Sequence, residues 1–230
     1  MRHDGPRDNR AGFDAALGEL QQSILMMASL AERNLSHAMR GLLHRDLDLC
    51  NRAVDEDADV DRLEKVVDRE GLQILIAFQP NDYQVRKVTA TMRVSNNLER
   101  ISDQAVTVAR FARDIVLADP LPLVQLIEPL YDMAQIMMKR ALSAFIEGDV
   151  DLALAVTRED SELDAHHHRL IARIKESLAQ GSAHAPLLLN LFVIVRALER
   201  VGDHAVNVAE DSVFIEKGTD IRHGGREDLE

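Results

Sequence analysis

The fold of this chain is decided by the stretch Leu98-Glu99-Arg100-Ile101-Ser102-Asp103, which recurs 100 residues later as Leu198-Glu199-Arg200-Val201-Gly202-Asp203. Each copy continues for six more residues, and eight of the twelve paired positions are identical without a gap. A match of this length inside a chain of 230 residues indicates an internal duplication. The function should therefore depend on what two copies do together.

A second pair of stretches extends the duplication beyond this signature. Glu56-Asp57-Ala58-Asp59-Val60-Asp61 matches Glu159-Asp160-Ser161-Glu162-Leu163-Asp164 at an offset of 103 residues. The drop in offset from 103 to 100 predicts a turn that is three residues shorter in the second half. Turns tolerate such changes in length, so the two halves should contain the same helices.

Apolar residues recur at helical spacing in six segments, and Pro, Gly, Asn and Asp mark the turns between them. The predicted helices cover residues 13–44, 46–78 and 82–118, then 122–147, 149–180 and 187–217. The predicted fold class is all-α, a tandem repeat of two antiparallel three-helix bundles. Repeat 1 spans residues 13–118 and repeat 2 spans residues 122–217, with a flexible tail at 1–12 and an irregular tail at 218–230.

The composition narrows the class of protein. A net charge of −12 opposes nucleic-acid binding, which needs a basic surface. No apolar run reaches the roughly 20 residues that span a bilayer, so no direct membrane insertion is expected. The single cysteine, Cys50, cannot form an internal disulfide. Because the first ten residues lack the apolar segment of a signal peptide, we expect a cytoplasmic protein.

The charged residues of the signature lie on one face of the helix. On a helical wheel, Glu99 and Asp103 share a face roughly opposite the apolar core stripe, and Glu199 and Asp203 repeat this arrangement. The preceding helix of each half carries its own acidic row beside an apolar stripe. These rows comprise Asp57, Asp61, Glu64 and Asp68 in the first half and Asp160, Asp164 and His167 in the second.

These matched rows have two interpretations of equal weight, a cation site and a solvated acidic face. Carboxylates spaced by four residues repel each other on a helix, and carboxylate sites suit Mg²⁺, Mn²⁺ or iron. His167 could join Asp164 as a ligand, but the first half has no matching histidine, so an exposed polar turn is the preferred interpretation. Arg100 and Arg200 could orient the carboxylates, bind a partner or lie at the surface.

The sequence lacks the common catalytic signatures. It contains no Gly-rich phosphate loop, no arrangement that suggests a serine or cysteine nucleophile, and no duplicated Glu-x-x-His of the di-iron bundles. We therefore expect no enzymatic activity.

The doubled signature, together with Arg158-Glu159-Asp160-Ser161-Glu162-Leu163-Asp164, resembles the PhoU family. This resemblance implies a cytoplasmic, usually dimeric, non-enzymatic adaptor. Such proteins couple the ATPase of the phosphate ABC transporter to a sensor histidine kinase and act as negative regulators when phosphate is plentiful. Some members bind iron or zinc clusters, or Mg²⁺ or Mn²⁺, on their helix surfaces.

The resemblance also assigns the metal ligands. Matched by position, they are Glu99 and Asp103 with Asp57 and Asp61, and Glu199 and Asp203 with Asp160 and Asp164. The first signature departs from the family pattern, because Ser102 stands where the second copy has Gly202. A serine could crowd the site, so we expect the second site to bind metal better. The alternative function is a helical protein whose main activity is metal binding or storage.

Overall fold

The computed structural model describes residues 6–221 of the chain, and side chains from Arg10 onward. This part of the chain is almost entirely helical and contains no strand, which confirms the all-α prediction. A short 3₁₀ helix, Pro122–Ile127, connects the two halves. The α-helices are α1 (Pro6–His44), α2 (Leu47–Asp55), α3 (Asp57–Phe78), α4 (Asp82–Leu117), α5 (Glu128–Glu147), α6 (Val150–Ala179) and α7 (Ala185–Lys217).

The duplication extends to the helix caps. Asp46 begins α2 by accepting a hydrogen bond from the Leu49 amide at 3.1 Å, and Asp149 begins α6 by accepting one from the Leu152 amide at 2.9 Å. These side chains satisfy amides that have no partner in the first turn. Two equivalent helices therefore begin at equivalent aspartates, as the sequence comparison predicts.

Each half forms a bundle of helices joined by short turns. In the first bundle α1 packs against α2, α3 and α4, and in the second α7 packs against α5 and α6. The most extensive contact between the halves joins α4 to α7, the two helices that carry the signature. The predicted core stripe of the signature is fully buried in both copies, and comprises Leu98, Ile101, Ala105, Val108, Leu198, Val201, Ala205 and Val208.

Three helix boundaries differ clearly from the sequence-based prediction. In the predicted helix at 122–147, residues 122–127 form the 3₁₀ helix and α5 begins at Glu128. Helix α1 begins at Pro6 rather than Phe13, because proline fits the first turn, where its missing N–H costs nothing. The predicted tail at 1–12 is thus wrong from Pro6 onward, and residues 1–5 lie outside the described residues. The second predicted helix is broken at Glu56 into α2 and α3. There the Glu56 carboxylate reaches to α1 and meets both Arg33 Nε and His37 Nδ1 at 3.1 Å.

The irregular tail predicted for residues 218–230 overlaps the described part of the chain only at residues 218–221. Residues 218–221 are irregular, as predicted, and Gly218 ends α7 in a left-handed conformation with φ of 71°. The remaining residues of the predicted tail, 222–230, lie outside the described part of the chain.

Polar side chains hold α4 and α7 in an antiparallel arrangement. The Arg93 Nε atom lies 2.9 Å from Asp211 Oδ1, and the Asn97 side-chain oxygen lies 3.1 Å from His204 Nδ1. Near the other end of the contact, the Asn190 amide donates to Asp114 at 3.0 Å. The two signatures are thereby fixed relative to each other. None of the described helices has the length and apolar character needed to cross a membrane.

Candidate metal centres

The first cluster of carboxylates forms where α3 packs beside α4. Helix α3 supplies Asp57 and Asp61, and α4 supplies Glu99 and Asp103. The Glu99 side chain is only 15% exposed, so it does not face away from the protein as the helical wheel predicts. Burial, with the negative charges of Asp103, Glu64 and Asp61, raises the pKa of Glu99 to about 7, although Arg100 lowers it. Asp61 and Asp103 also raise the pKa of Asp57, so they connect Glu99 and Asp57 electrostatically.

Ser102 connects this cluster to α1. Its hydroxyl donates a hydrogen bond of 2.6 Å to Asp57 Oδ1 and lies 2.9 Å from the side-chain amide of Asn34. Burial raises the pKa of Asp57, whereas the Ser102 hydrogen bond lowers it. The serine therefore occupies one lone pair of a predicted metal ligand, which makes the first site chemically different from the second.

The second cluster forms at the equivalent place between α6 and α7. Asp164, His167 and Glu199 each present one ligand atom there, and these atoms all lie within 4.8 Å of one another. Burial raises the pKa of Glu199, and the charges of Asp164 and Asp160 raise it too, while Arg196 and Arg200 lower it. The structure therefore brings the predicted α6 carboxylates to the Glu199 side of α7.

Asp203 completes this second cluster although part of its side chain is exposed. Burial raises its pKa to about 6, and the charges of Glu199 and Asp164 contribute in the same direction. A carboxyl group at such a pKa is mostly ionised at pH 7, but it takes up a proton about two pH units above an ordinary aspartate. Two acidic groups in each repeat thus have raised pKa values, Asp57 and Glu99 in the first and Glu199 and Asp203 in the second.

The ring nitrogens of His167 are more buried than the exposed polar turn preferred in the sequence-based interpretation implies. Both of its ring nitrogens are buried, and neither has a hydrogen-bond partner among the described residues. Burial lowers the pKa of His167, and the neighbouring His168 does the same, which favours the neutral imidazole that binds metals. The sequence contains one indication of a shared position, because the offset of 103 residues pairs His167 with the carboxylate of Glu64.

The inequality of the two signatures has a packing cause. A β-carbon added to Gly202 would lie 2.1 Å from Leu163 Cδ2, which is far inside van der Waals contact. Val60 stands at the equivalent position of the first half, opposite Ser102. By sequence equivalence, the first repeat therefore combines a smaller apolar residue on α3 with a larger residue in the α4 signature, and the second repeat does the reverse.

The matched arginines flank the two clusters. Arg100 lies 3.3 Å from both Glu99 Oε2 and Asp103 Oδ2, and its side chain is 51% exposed. Arg200 lowers the pKa of Glu199 and of Asp203 through its positive charge. Both arginines therefore act on the carboxylates, and a role in partner binding stays a prediction. His204 packs against Asn97 at the α4–α7 contact, and burial lowers its pKa to about 4.

Comparison with known proteins identifies the family. The model described as PhoU domain matches residues 24–112 and 127–212, which are the two bundles. The chain belongs to the PhoU family. It is 30% identical over 218 residues to the phosphate-specific transport system accessory protein PhoU of Edwardsiella tarda, covering 95% of this chain and 90% of that protein. The corresponding protein of Escherichia coli strain K12 is 28% identical with the same coverage.

Two solved structures share the fold of this PhoU-family protein. The crystal structure of PhoU from Pseudomonas aeruginosa gives a TM-score of 0.87 at 29% sequence identity. The match covers 90% of this chain and 100% of that one. The PhoU phosphate transport system regulatory protein from Streptococcus pneumoniae gives a TM-score of 0.85 at 21% identity, covering 92% of this chain and 100% of that one. The second comparison supports the fold alone.

The second repeat offers the clearer fit for a divalent cation, because the ligand atoms of Asp164, His167 and Glu199 lie within 4.8 Å of one another. Among the described residues, the carboxylates of the first repeat form no group that close. A cation would favour the ionised carboxylates and offset the repulsion that raises the pKa values of Glu99 and Asp203. Bound there, it would link α3 to α4 or α6 to α7.

The raised pKa of Glu99 predicts how the thermal stability of the metal-free protein depends on pH. A carboxyl group whose folded-state pKa is raised binds its proton more tightly in the folded state. Its contribution to stability is therefore present below the unfolded pKa of 4.5 and is lost as the pH rises to about 7. We expect Glu99→Gln to leave the Tm near that of the wild type at pH 5 and to raise it at pH 8.

Thermal unfolding of both proteins in a chelating buffer measures this difference. Glu162→Gln, a change at an exposed carboxylate on α6, serves as the control and should give a difference in Tm that does not grow with pH. A Glu99→Gln protein that is equally or less stable than the wild type at pH 8 would show that Glu99 is not electrostatically strained.

Proposed function

We propose that this protein is a cytoplasmic, non-enzymatic accessory regulator of phosphate transport. It would connect the ATPase of a phosphate ABC transporter with a sensor histidine kinase and favour the repressed state of phosphate-starvation genes when phosphate is plentiful. The family assignment supports this proposal, and so do the names of relatives such as the Edwardsiella tarda protein. The relatives match this chain over both bundles, so the proposal concerns the whole repeat pair.

Metal ions on the carboxylate faces are the second part of the proposal. The observation that carries it is the convergence of equivalent acidic groups in both repeats, with Glu99 and Asp203 raised to pKa values of about 7 and 6. Carboxylates held close together disfavour each other's ionisation, and the neighbouring arginines offset this effect only in part. A Mg²⁺, Mn²⁺, Zn²⁺ or iron ion at each cluster would offset the rest of this effect and fix the surface presented by the paired helices.

A homodimer is also part of the proposal, as the family resemblance implies. Large apolar side chains remain exposed on several helices of the described chain. On α3, for example, Leu72 is 54% exposed and Ile76 is 76% exposed. A second copy or a partner protein could cover such side chains.

Metal storage is the competing function, and the ligand set of Asp164, His167 and Glu199 is the observation that favours it. Storage requires a large capacity, whereas each repeat here offers one cluster between two helices. The adaptor function therefore agrees better with the number of ligands that the two repeats provide.

Deleting the gene tests the two functions against each other. We expect the deletion to derepress alkaline phosphatase in phosphate-rich medium, because the kinase would no longer be held in its repressed state. The strain should carry no second family member, so that a relative cannot substitute. If phosphatase activity stays repressed in that strain, the regulatory proposal is wrong, and metal storage becomes the better account.

A further inference from the structure

We propose that the two clusters differ in metal preference, with the imidazole of His167 making the second one selective for a borderline transition metal such as Zn²⁺. The first cluster would instead prefer a hard ion such as Mn²⁺ or Mg²⁺. This inference rests on the proposed metal binding and deepens it. It assigns a different class of ion to each repeat, and it names a ligand that is not a carboxylate.

The geometry of the second cluster suits a mixed ligand set. The ligand atoms of Asp164, His167 and Glu199 lie within 4.8 Å of one another. Two ligands that share one Zn²⁺ at about 2.1 Å can be at most about 4.2 Å apart. In a tetrahedral site the ligand atoms would be about 3.4 Å apart, so binding would require the three side chains to close in by up to about 1.4 Å.

The environment of His167 independently points to a ligand. Buried ring nitrogens nearly always have a hydrogen-bond partner, because leaving one unsatisfied is costly. In the described part of the chain neither nitrogen of His167 has such a partner. Its ring instead makes an edge contact with the ring of His168, at 5.3 Å between centroids. A metal ion would satisfy the nitrogen that faces Asp164 and Glu199.

The first cluster has an oxygen ligand at the equivalent position. Glu64 lies 103 residues before His167 and raises the pKa of Glu99 through its charge. The Asn96 amide donates to Glu64 Oε1 at 3.1 Å, which orients this carboxylate beside Glu99. Asp61, Glu64 and Glu99 thus correspond to Asp164, His167 and Glu199, and nitrogen replaces oxygen in one repeat only.

The difference in ligand chemistry decides which ion each cluster prefers. Imidazole binds Zn²⁺ and other late first-row metals well, whereas carboxylates alone suit Mg²⁺ and Mn²⁺. A carboxylate also adds a negative charge that a hard cation favours. Exchanging the two residues should therefore exchange part of the selectivity.

Calorimetric titration of chelator-stripped protein with Zn²⁺ alone and with Mn²⁺ alone tests this inference. Glu99→Ala with Asp103→Ala disables the first cluster and isolates the second. In that background we expect His167→Glu to weaken Zn²⁺ binding by at least about tenfold, since even outer-shell changes cost 10- to 100-fold. Mn²⁺ binding should change by less than about threefold. Conversely, Glu64→His should strengthen Zn²⁺ binding when Glu199→Ala and Asp203→Ala disable the second cluster.

The controls separate this inference from the proposed metal binding. His166→Gln alters a neighbouring histidine outside the ligand set and should leave both affinities unchanged. NMR of the histidine rings in the unmodified protein gives a second measurement, in which Zn²⁺ should shift the His167 nitrogen signals. Zn²⁺ binding that is unaffected by His167→Glu, with unshifted His167 signals, would overturn the inference and leave metal binding intact. Failure of the wild type to bind either ion would overturn both.

Discussion

Arg93→Met should lower the free energy of unfolding by about 3 kcal/mol, because it removes the ion pair of a buried carboxylate. Asp211 is only 2% exposed, and its Oδ1 atom lies 2.9 Å from Arg93 Nε. The Arg93 guanidinium also lies over the Phe214 ring, 4.7 Å from its centroid. Losing both contacts weakens the α4–α7 association on which the relative position of the two signatures depends.

Urea unfolding of matched variants measures this effect. Arg62→Met removes an exposed ion pair with Asp59 on α3 and should cost less than about 1 kcal/mol. The double variant Arg93→Met with Asp211→Leu should recover much of the loss, because it removes the buried charge as well. If Arg93→Met costs no more than Arg62→Met, the buried pair does not stabilise the contact between the repeats.

Gly202→Ser, which gives the second signature the residue of the first, should destabilise the protein by about 1–3 kcal/mol through overpacking. The added β-carbon would lie 2.1 Å from Leu163 Cδ2, and Leu163 is fully buried. The Cδ2 methyl of Leu163 would have to shift within a buried position, while its Cγ atom at 3.5 Å could stay in ordinary contact. Because Asp164 follows Leu163 directly, the change should also disturb the second metal cluster.

The first repeat supplies the control for this substitution. Leu163→Val added to Gly202→Ser reproduces the pair formed by Val60 and Ser102, and we expect it to restore most of the lost Tm. Leu163→Val alone should cost about 1 kcal/mol for its lost methylene. A double variant that is as unstable as the sum of the single variants would show that the serine clashes with something other than Leu163.

The sequence predicts the architecture well because the duplication constrains it twice. The apolar stripe through Leu98 and Ile101 and the equivalent stripe through Leu198 and Val201 are fully buried as expected. The caps at Asp46 and Asp149 are also where the sequence places them. Such local and periodic features depend on residues close together in the chain, which one sequence reveals.

Features that depend on contacts between distant residues could not be predicted in this way. The break at Glu56 lies at neither Pro nor Gly, and it coincides with contacts to Arg33 and His37 on another helix. The helical wheel places Glu99 on an outer face, but it cannot represent the neighbouring helix that covers this side chain. His167 is a different case, because the offset of 103 residues already pairs it with Glu64 in the sequence, and only the burial of its ring nitrogens required the structure.

Our central proposal is that the carboxylate clusters of both repeats support phosphate regulation. Its most direct test complements the deletion strain with either the wild-type gene or the variant carrying Glu99→Ala, Asp103→Ala, Glu199→Ala and Asp203→Ala. Alkaline phosphatase is measured in phosphate-rich medium at matched levels of folded protein. We predict that the wild type restores repression and that the variant leaves the phosphatase derepressed. Full repression by the variant would show that these four carboxylates are not needed for regulation.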